Sequence, residues 1–76
     1  MSSVLPVLSG RTCVKILSKA GFYFKRREGS HITLRRDEPF AQVVVPDHKT
    51  VDRGTLRSII RQSGLSVDQF LELMRK

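Results

Sequence analysis

The residues from Phe22 to Pro46 read FYFKRREGSHITLRRDEPFAQVVVP, and they specify a sheet around which the rest of the chain is organised. Apolar and polar side chains alternate along them, a pattern typical of strands buried on one side. The alternation predicts three strands, at residues 22–27, 31–35 and 40–45. Gly29-Ser30 and Asp37-Glu38-Pro39 provide the turns, and Pro46 ends the third strand because it has no amide hydrogen. Connections this short join antiparallel neighbours, so an antiparallel meander is predicted.

A helix is predicted before the sheet, at residues 11–20. Apolar side chains recur there three and four residues apart, which places them on one helix face. Ser9 is a suitable N-cap, and Gly21 provides the left-handed residue that ends such a helix. Cys13 lies on the apolar stripe, so we expect it to be a small buried hydrophobic residue.

Two further helices are predicted after the sheet. One begins near Gly54 or Thr55 and ends at Gly64. The next follows Ser66, which with Gln69 has the sequence of a capping box. The order α-β-β-β-α-α predicts an α+β fold, with a three-stranded antiparallel sheet and helices on one face.

The chain of 76 residues is long enough for one domain. We expect an N-terminal tail at residues 1–8, which contacts the rest through Val4, Leu5, Val7 and Leu8, and one domain at residues 9–76. Hydrophobic residues make up 39% of the chain and there is no Trp. The core is therefore expected to consist of Leu, Ile, Val and the four Phe, with Phe22 and Phe24 on the same face of their strand.

Cysteine content and the N-terminal sequence indicate a cytoplasmic protein. A single cysteine allows no internal disulfide and no structural zinc site. The apolar run at residues 1–8 is short and broken by Pro6, so it resembles neither a signal peptide nor a membrane span. Two histidines and seven scattered acidic residues form no recognisable metal site, and no nucleotide-cofactor motif is present. We expect neither a cofactor nor a bound metal.

The charge of the chain favours a polyanionic partner. Lys and Arg number 14 against 7 Asp and Glu, which gives a formal net charge of +7. Such an excess attracts either nucleic acid or an acidic protein surface.

His31 is the strongest candidate for a catalytic group. It begins a strand on the face opposite Ile32 and Leu34, after the turn Gly29-Ser30. Imidazole exchanges protons near neutral pH, and RNA carries its own nucleophile, the 2′-hydroxyl. An RNA-cleaving enzyme therefore needs a base, an acid and cations for the developing charge. The residue pattern alone equally allows an exposed turn histidine without a role.

The second histidine and the cations are open to two interpretations. His48 is either a second proton carrier or phosphate ligand, or a loop residue that makes a structural hydrogen bond. Tyr23 either stacks on a base or packs at the edge of the core. The alternative to phosphate binding for the cations and helix-start donors is that they are only solvated. The remaining candidates for phosphate binding are Arg35, Lys49, Arg53, Thr55, Arg57 and Arg61.

Taken in order, four segments resemble the HicA-type toxins of bacterial HicAB toxin–antitoxin pairs. They are Gly21-Phe22, Gly29-Ser30-His31, Val43-Val44-Val45-Pro46-Asp47-His48 and the run from Gly54 to Ser66. The resemblance covers nearly the whole chain from about Ser9 onward. It implies a fold like that of double-stranded-RNA-binding domains and cleavage of mRNA by a metal-independent endoribonuclease.

The resemblance also implies a catalytic residue and a partner. The histidine of the Gly-Ser-His motif is the catalytic one in the family, which corresponds to His31 here. A HicB-type acidic antitoxin is the implied partner. The alternative is a noncatalytic double-stranded-RNA-binding module, in which the turn histidine would have no necessary role.

Overall fold

A computed structural model describes residues 5–76 of the chain. Its elements are α1 (Gly10–Ser18), β1 (Tyr23–Glu28), β2 (His31–Asp37), β3 (Phe40–Pro46), α2 (Arg53–Ser63) and α3 (Val67–Met74). The strands form one antiparallel sheet in the order β1-β2-β3. The predicted α+β class and the order α-β-β-β-α-α are confirmed.

The helices begin and end where capping residues satisfy their free backbone groups. Ser9 accepts a hydrogen bond from the Thr12 amide, and Ser66 and Gln69 form the predicted capping box. Gly64 ends α2 with a left-handed φ of 79°. The N-cap of α2 is Asp52, which the sequence analysis did not identify.

One face of the sheet packs against the helices. The register pairs Ile32 with Val45 and Leu34 with Val43, and all four side chains are buried. On the same side, α1 and α2 pack mainly against β3. Cys13 is fully buried in this core, as expected, and burial raises the pKa of its thiol to about 11.

The expectation that all four phenylalanines belong to the core is wrong. Phe22 and Phe70 are buried, whereas Phe24 is 61% exposed and Phe40 is 66% exposed. Phe24 pairs with Leu34, so it lies on the helix side of the sheet. It stays exposed because the helices pack mainly against β3, two strands away from β1. Apolar residues on an edge strand do not by themselves show that a second layer covers them.

The segment before α1 is part of the core. Leu5 is 1% exposed, and its carbonyl oxygen accepts a hydrogen bond from Arg53 Nε at 2.7 Å. Leu8 forms an isolated antiparallel bridge with Val51. Val7 is exposed, and Val4 lies outside the described residues. No helix within residues 5–76 has the length and apolar character needed to cross a membrane.

Candidate functional site

A two-residue hairpin places His31 at one end of the sheet. Glu28 ends β1 and pairs directly with His31, with Gly29 and Ser30 between them. Gly29 has a φ of 60° and Ser30 does not have a positive φ, which is the pattern of a type II′ turn. The first central position of this turn favours glycine because a side chain is strained there. The Gly-Ser sequence therefore fixes the position of the histidine.

The side chain of His31 projects from the face of the sheet opposite the helices. It shares this face with Thr33 and Arg35, while Ile32 and Leu34 face the core. The residue is exposed. Within residues 5–76 its imidazole makes no hydrogen bond or ion pair.

The chain leaving β3 is attached to this hairpin. His31 pairs with Pro46, and the Asp47 amide donates to the Ser30 carbonyl oxygen at 2.6 Å. On the other side, the Gly10 amide donates to the His48 carbonyl oxygen at 2.8 Å. A Cβ atom at Gly10 would overlap the carbonyl oxygen of Pro46, so only glycine permits this approach of α1 to β3. The hairpin, the end of β3 and the start of α1 thus form one fixed unit.

Asp47 holds two arginines at the same end of the sheet. Arg27 Nη1 donates to its Oδ2 at 2.8 Å, and Arg11 Nε lies 3.5 Å from its Oδ1. The Asp47 side chain is 11% exposed, against 48% for Arg27 and 81% for Arg11. The hydrogen bond from Arg27 lowers the pKa of the Asp47 carboxyl group, with a smaller effect from Arg11. The site therefore contains an ionised carboxylate with two cations anchored to it.

A depression of about 400 Å³ lies beside this ion-pair cluster. It is lined by Ser9, Arg11, Asp47, His48 and Lys49. His48 and Lys49 are both exposed. The structure thus brings His48 and Lys49, two of the predicted site residues, to the end of the sheet where Gly29, Ser30 and His31 lie.

The predicted phosphate-binding residues of α2 lie elsewhere. Arg57 and Arg61 are exposed and line a separate depression of about 260 Å³. Arg53 donates from Nε to the Leu5 carbonyl oxygen, which fixes its side chain toward the N-terminal segment.

The start of α2 is occupied by a carboxylate. The Thr55 amide donates to Asp52 Oδ1 at 2.8 Å, and this bond lowers the pKa of the Asp52 carboxyl group. This amide is therefore not free for phosphate, contrary to the sequence-based expectation. A negative charge at the helix start also opposes anion binding there.

Four site residues were missed by the sequence analysis, namely Arg11, Arg27, Glu28 and Asp47. Glu28 is the cross-strand partner of His31, a relation that follows from a two-residue hairpin once its turn is located. Asp47 lies in the sequence Pro-Asp-His, but no local pattern shows that Arg11 and Arg27 converge on it. These contacts depend on how α1 packs against β3.

The fold and this site define a small, basic α+β protein. At one end of its sheet it presents an unpaired histidine on the open side, and an Asp47-bound pair of arginines on the helix side. Residues 10–65 match the family described as the HicA toxin of bacterial toxin-antitoxin. The match spans well over half of the chain, so the protein belongs to the HicA family and is the toxin of a toxin–antitoxin pair. An antitoxin partner follows from this membership. A search of curated proteins gave no match.

The family match leaves out α3, although the structure makes this helix part of the fold. Phe70 is fully buried, and Lys19 Nζ donates to the carbonyl oxygens of Leu73 and Lys76 at 3.2 and 2.7 Å. The last helix therefore packs as an integral element beside the family region.

Proposed function

We propose that this toxin is a metal-independent endoribonuclease that cleaves mRNA, with His31 as a general acid or base. The observation that carries the proposal is the exposed, unpaired imidazole of His31 at the end of the sheet that also holds Arg11 and Arg27. Since mRNA is the substrate, we also propose a cytoplasmic location.

The proposed reaction uses the nucleophile that RNA contains. The 2′-oxygen attacks the adjacent phosphorus, and the bond from phosphorus to the 5′-oxygen breaks. One group takes the proton from the 2′-hydroxyl, and a second group gives a proton to the leaving 5′-oxygen. The products are a 2′,3′-cyclic phosphate and a 5′-hydroxyl. His31 performs one of the two transfers, and His48 and Glu28 are the candidates for the other.

The cations stabilise the negative charge that develops on the phosphoryl oxygens. Arg11 and Arg27 suit this role because Asp47 anchors them before RNA binds. Lys49 adds a third positive charge at the adjoining depression. A preorganised group of cations loses little free energy to rearrangement during the reaction.

The test uses end-labelled RNA and purified protein in the presence of EDTA. We expect cleavage to a cyclic phosphate, no cleavage of an otherwise identical strand with 2′-deoxy sugars, and no cleavage by His31→Ala. Far-UV circular dichroism of the variant controls for folding. Cleavage of the deoxy strand would contradict the nucleophile, and full activity of the variant would contradict the role of His31. Binding of a duplex RNA, without cleavage of either strand, would instead identify a noncatalytic double-stranded-RNA-binding module.

We also propose that the antitoxin is an acidic HicB-type protein that covers His31 and the arginines beside it. A net charge of +7 attracts an acidic protein by the same surface that attracts RNA, with an association rate that falls as salt rises. Direct coverage is the simplest form of inhibition, since it excludes the substrate.

The footprint of the complex tests this arrangement. Hydrogen exchange should show protection of residues 29–35 and of the start of α2 when the partner binds. Protection restricted to other parts of the chain, with His31 still open to a histidine reagent, would contradict direct coverage.

A further inference from the structure

Three exposed apolar side chains lie on the sheet face opposite the helices. Tyr23 is 43% exposed, Val44 is 41% exposed and Phe40 is 66% exposed. Such residues usually pack in the core, but these three project from the side of the sheet that faces away from it. The ribonuclease mechanism proposed for His31 does not use them.

The register and the side-chain contacts place these residues on one surface. Tyr23 pairs with Arg35 and its hydroxyl donates to Asp37 Oδ1 at 2.9 Å. The Arg35 guanidinium lies over the Phe40 ring, 5.6 Å from its centroid. The neighbouring Arg36 instead faces the core side, where it lies over the Phe22 ring. We call this surface the open face, and its central residues are Tyr23, His31, Thr33, Arg35, Phe40 and Val44.

We propose that the open face binds single-stranded RNA by stacking bases on Phe40 and Tyr23, with the strand running from there toward His31. This inference rests on the proposed ribonuclease function and specifies its substrate as unpaired RNA. Bases of a duplex are stacked on each other, whereas unpaired bases are free to stack on aromatic rings and arginine planes.

The dimensions of the open face suit such a strand. His31 and Arg35 are four residues apart on β2, which corresponds to about 14 Å along a strand. About four stacked nucleotides cover that distance at ~3.4 Å each. Phe40 lies beyond Arg35, so a base on its ring and a phosphodiester at His31 fit on one continuous strand. Arg26 and Arg35 on the same face provide positive charge between the two ends.

The chemistry around Phe40 and Tyr23, at the end of the open face away from His31, favours RNA over a protein partner. The polar residues Arg35 and Gln42 lie between Tyr23 and the apolar side chains of β3, so the three form no continuous apolar patch. A stable protein interface has an apolar core of packed side chains. A base needs only one aromatic ring on which to stack, with cations nearby to contact the phosphates. The open face provides both.

The test compares two exposed phenylalanines on opposite sides of the sheet. Phe40 lies on the open face, whereas Phe24 lies on the helix side with similar exposure. Both are changed to alanine in a His31→Ala background, so that RNA is not cut. Fluorescence anisotropy then measures the affinity for a short single-stranded RNA and for an abasic RNA of equal length.

We expect Phe40→Ala to weaken binding of the base-bearing strand about 5- to 150-fold, the effect of losing one stacked base. It should leave the affinity for the abasic strand unchanged, and Phe24→Ala should leave both unchanged. Tyr23→Phe should bind as the parent does, and Tyr23→Ala should bind more weakly. Equal losses for both strands, or no loss for Phe40→Ala, would overturn the proposal.

Two further outcomes distinguish base stacking from protein docking and from cleavage. If Phe40→Ala weakens the antitoxin complex and leaves RNA affinity unchanged, the open face is a protein-docking surface and the inference is wrong. The cleavage assay with His31 intact is independent of these binding data. If the protein cleaves RNA and Phe40→Ala has no effect on binding, the ribonuclease proposal holds and the stacking proposal is wrong. If Phe40 contributes to binding but RNA is not cleaved, the stacking proposal holds and the ribonuclease proposal is wrong.

Discussion

The arginines bound to Asp47, at the end of the sheet where His31 lies, and the arginines of α2 have the same charge but differ in how they are held. Arg11 and Arg27 are anchored to Asp47, which is 11% exposed and itself attached to the hairpin by its amide. Arg57 and Arg61 are exposed, and within residues 5–76 their side chains make no hydrogen bond or ion pair. The first pair is fixed before any ligand arrives, whereas the second is free to move.

This difference indicates two roles in one small protein. Fixed cations are effective where charge develops in a transition state, because they need no rearrangement. Mobile surface cations contribute to affinity by neutralising phosphates and releasing counterions. We therefore expect changes near His31 to affect the cleavage rate, and changes on α2 to affect binding.

The largest effect is expected for His31→Ala. Loss of a general acid or base typically lowers the rate about 10²- to 10⁴-fold, and RNA affinity should be nearly unchanged. Arg57→Ala is the matched variant, since at saturating RNA it should keep the parent rate. Single-turnover kinetics measure both. If His31→Ala lowered the affinity for RNA by the same factor as the cleavage rate, the two regions would not have separate roles in catalysis and binding.

A smaller effect is expected for Gly10→Ala, which acts on the fixed region alone. Its Cβ atom would overlap the Pro46 carbonyl oxygen, and relieving such a contact costs about 1–3 kcal/mol of folding free energy. Gly54→Ala is the control. The nearest atom to its new Cβ would be Asp52 Oδ1 at 3.4 Å, so stability should be unchanged or slightly increased. Urea unfolding at neutral pH measures the free energy of unfolding of both variants. Equal values would show that α1 and β3 are not in close contact at Gly10.

Acid pH should reveal the contribution of Asp47 to the fixed region. Folding lowers the pKa of the Asp47 carboxyl group from its ordinary value of 3.8. Ionised Asp47 therefore stabilises the folded protein above pH 3.8, and this stabilisation is lost as the pH falls through the pKa of the folded state. Asp47→Asn should therefore unfold at a lower temperature than the parent at pH 7, and the difference should shrink toward about pH 3. Thermal melts across this range test the claim. A difference that does not change with pH would show that packing, and not ionisation, accounts for the effect.

The sequence predicted the sheet and the helices because each has a local signal. Gly29, Gly64 and the Ser66–Gln69 box determine backbone geometry within a few residues, so their effects can be read from neighbouring positions. His31 was found for the same reason, since a two-residue turn and strand alternation fix its direction. The resemblance to HicA toxins, which the family match confirms, added its expected role.

Features that depend on the packing of distant segments were missed or misplaced. The anchoring role of Asp47 needs Arg11 from α1 and Arg27 from β1 to meet at the end of β3. The exposure of Phe24 depends on which strands the helices cover, and that of Phe40 depends on which face of the sheet they cover. Hydrophobic alternation does not show either. Leu5 is likewise buried in a core built from later segments, and its carbonyl oxygen accepts a hydrogen bond from Arg53, nearly fifty residues later in the chain.

The smallest effect is expected on α2, in the salt dependence of binding. Each cation that contacts a phosphate of single-stranded RNA contributes about 0.7 to the slope of log affinity against log salt. Arg57→Ala and Arg61→Ala should each lower the slope by about that amount and weaken binding to all sequences alike. The His31→Ala background prevents cleavage during the titration, and Lys25→Ala, which changes an exposed cation of β1, controls for the general loss of one charge. An unchanged slope combined with a new sequence preference would mean that these arginines read bases. An equal change for Lys25→Ala would mean that overall charge, and not the α2 surface, sets the affinity.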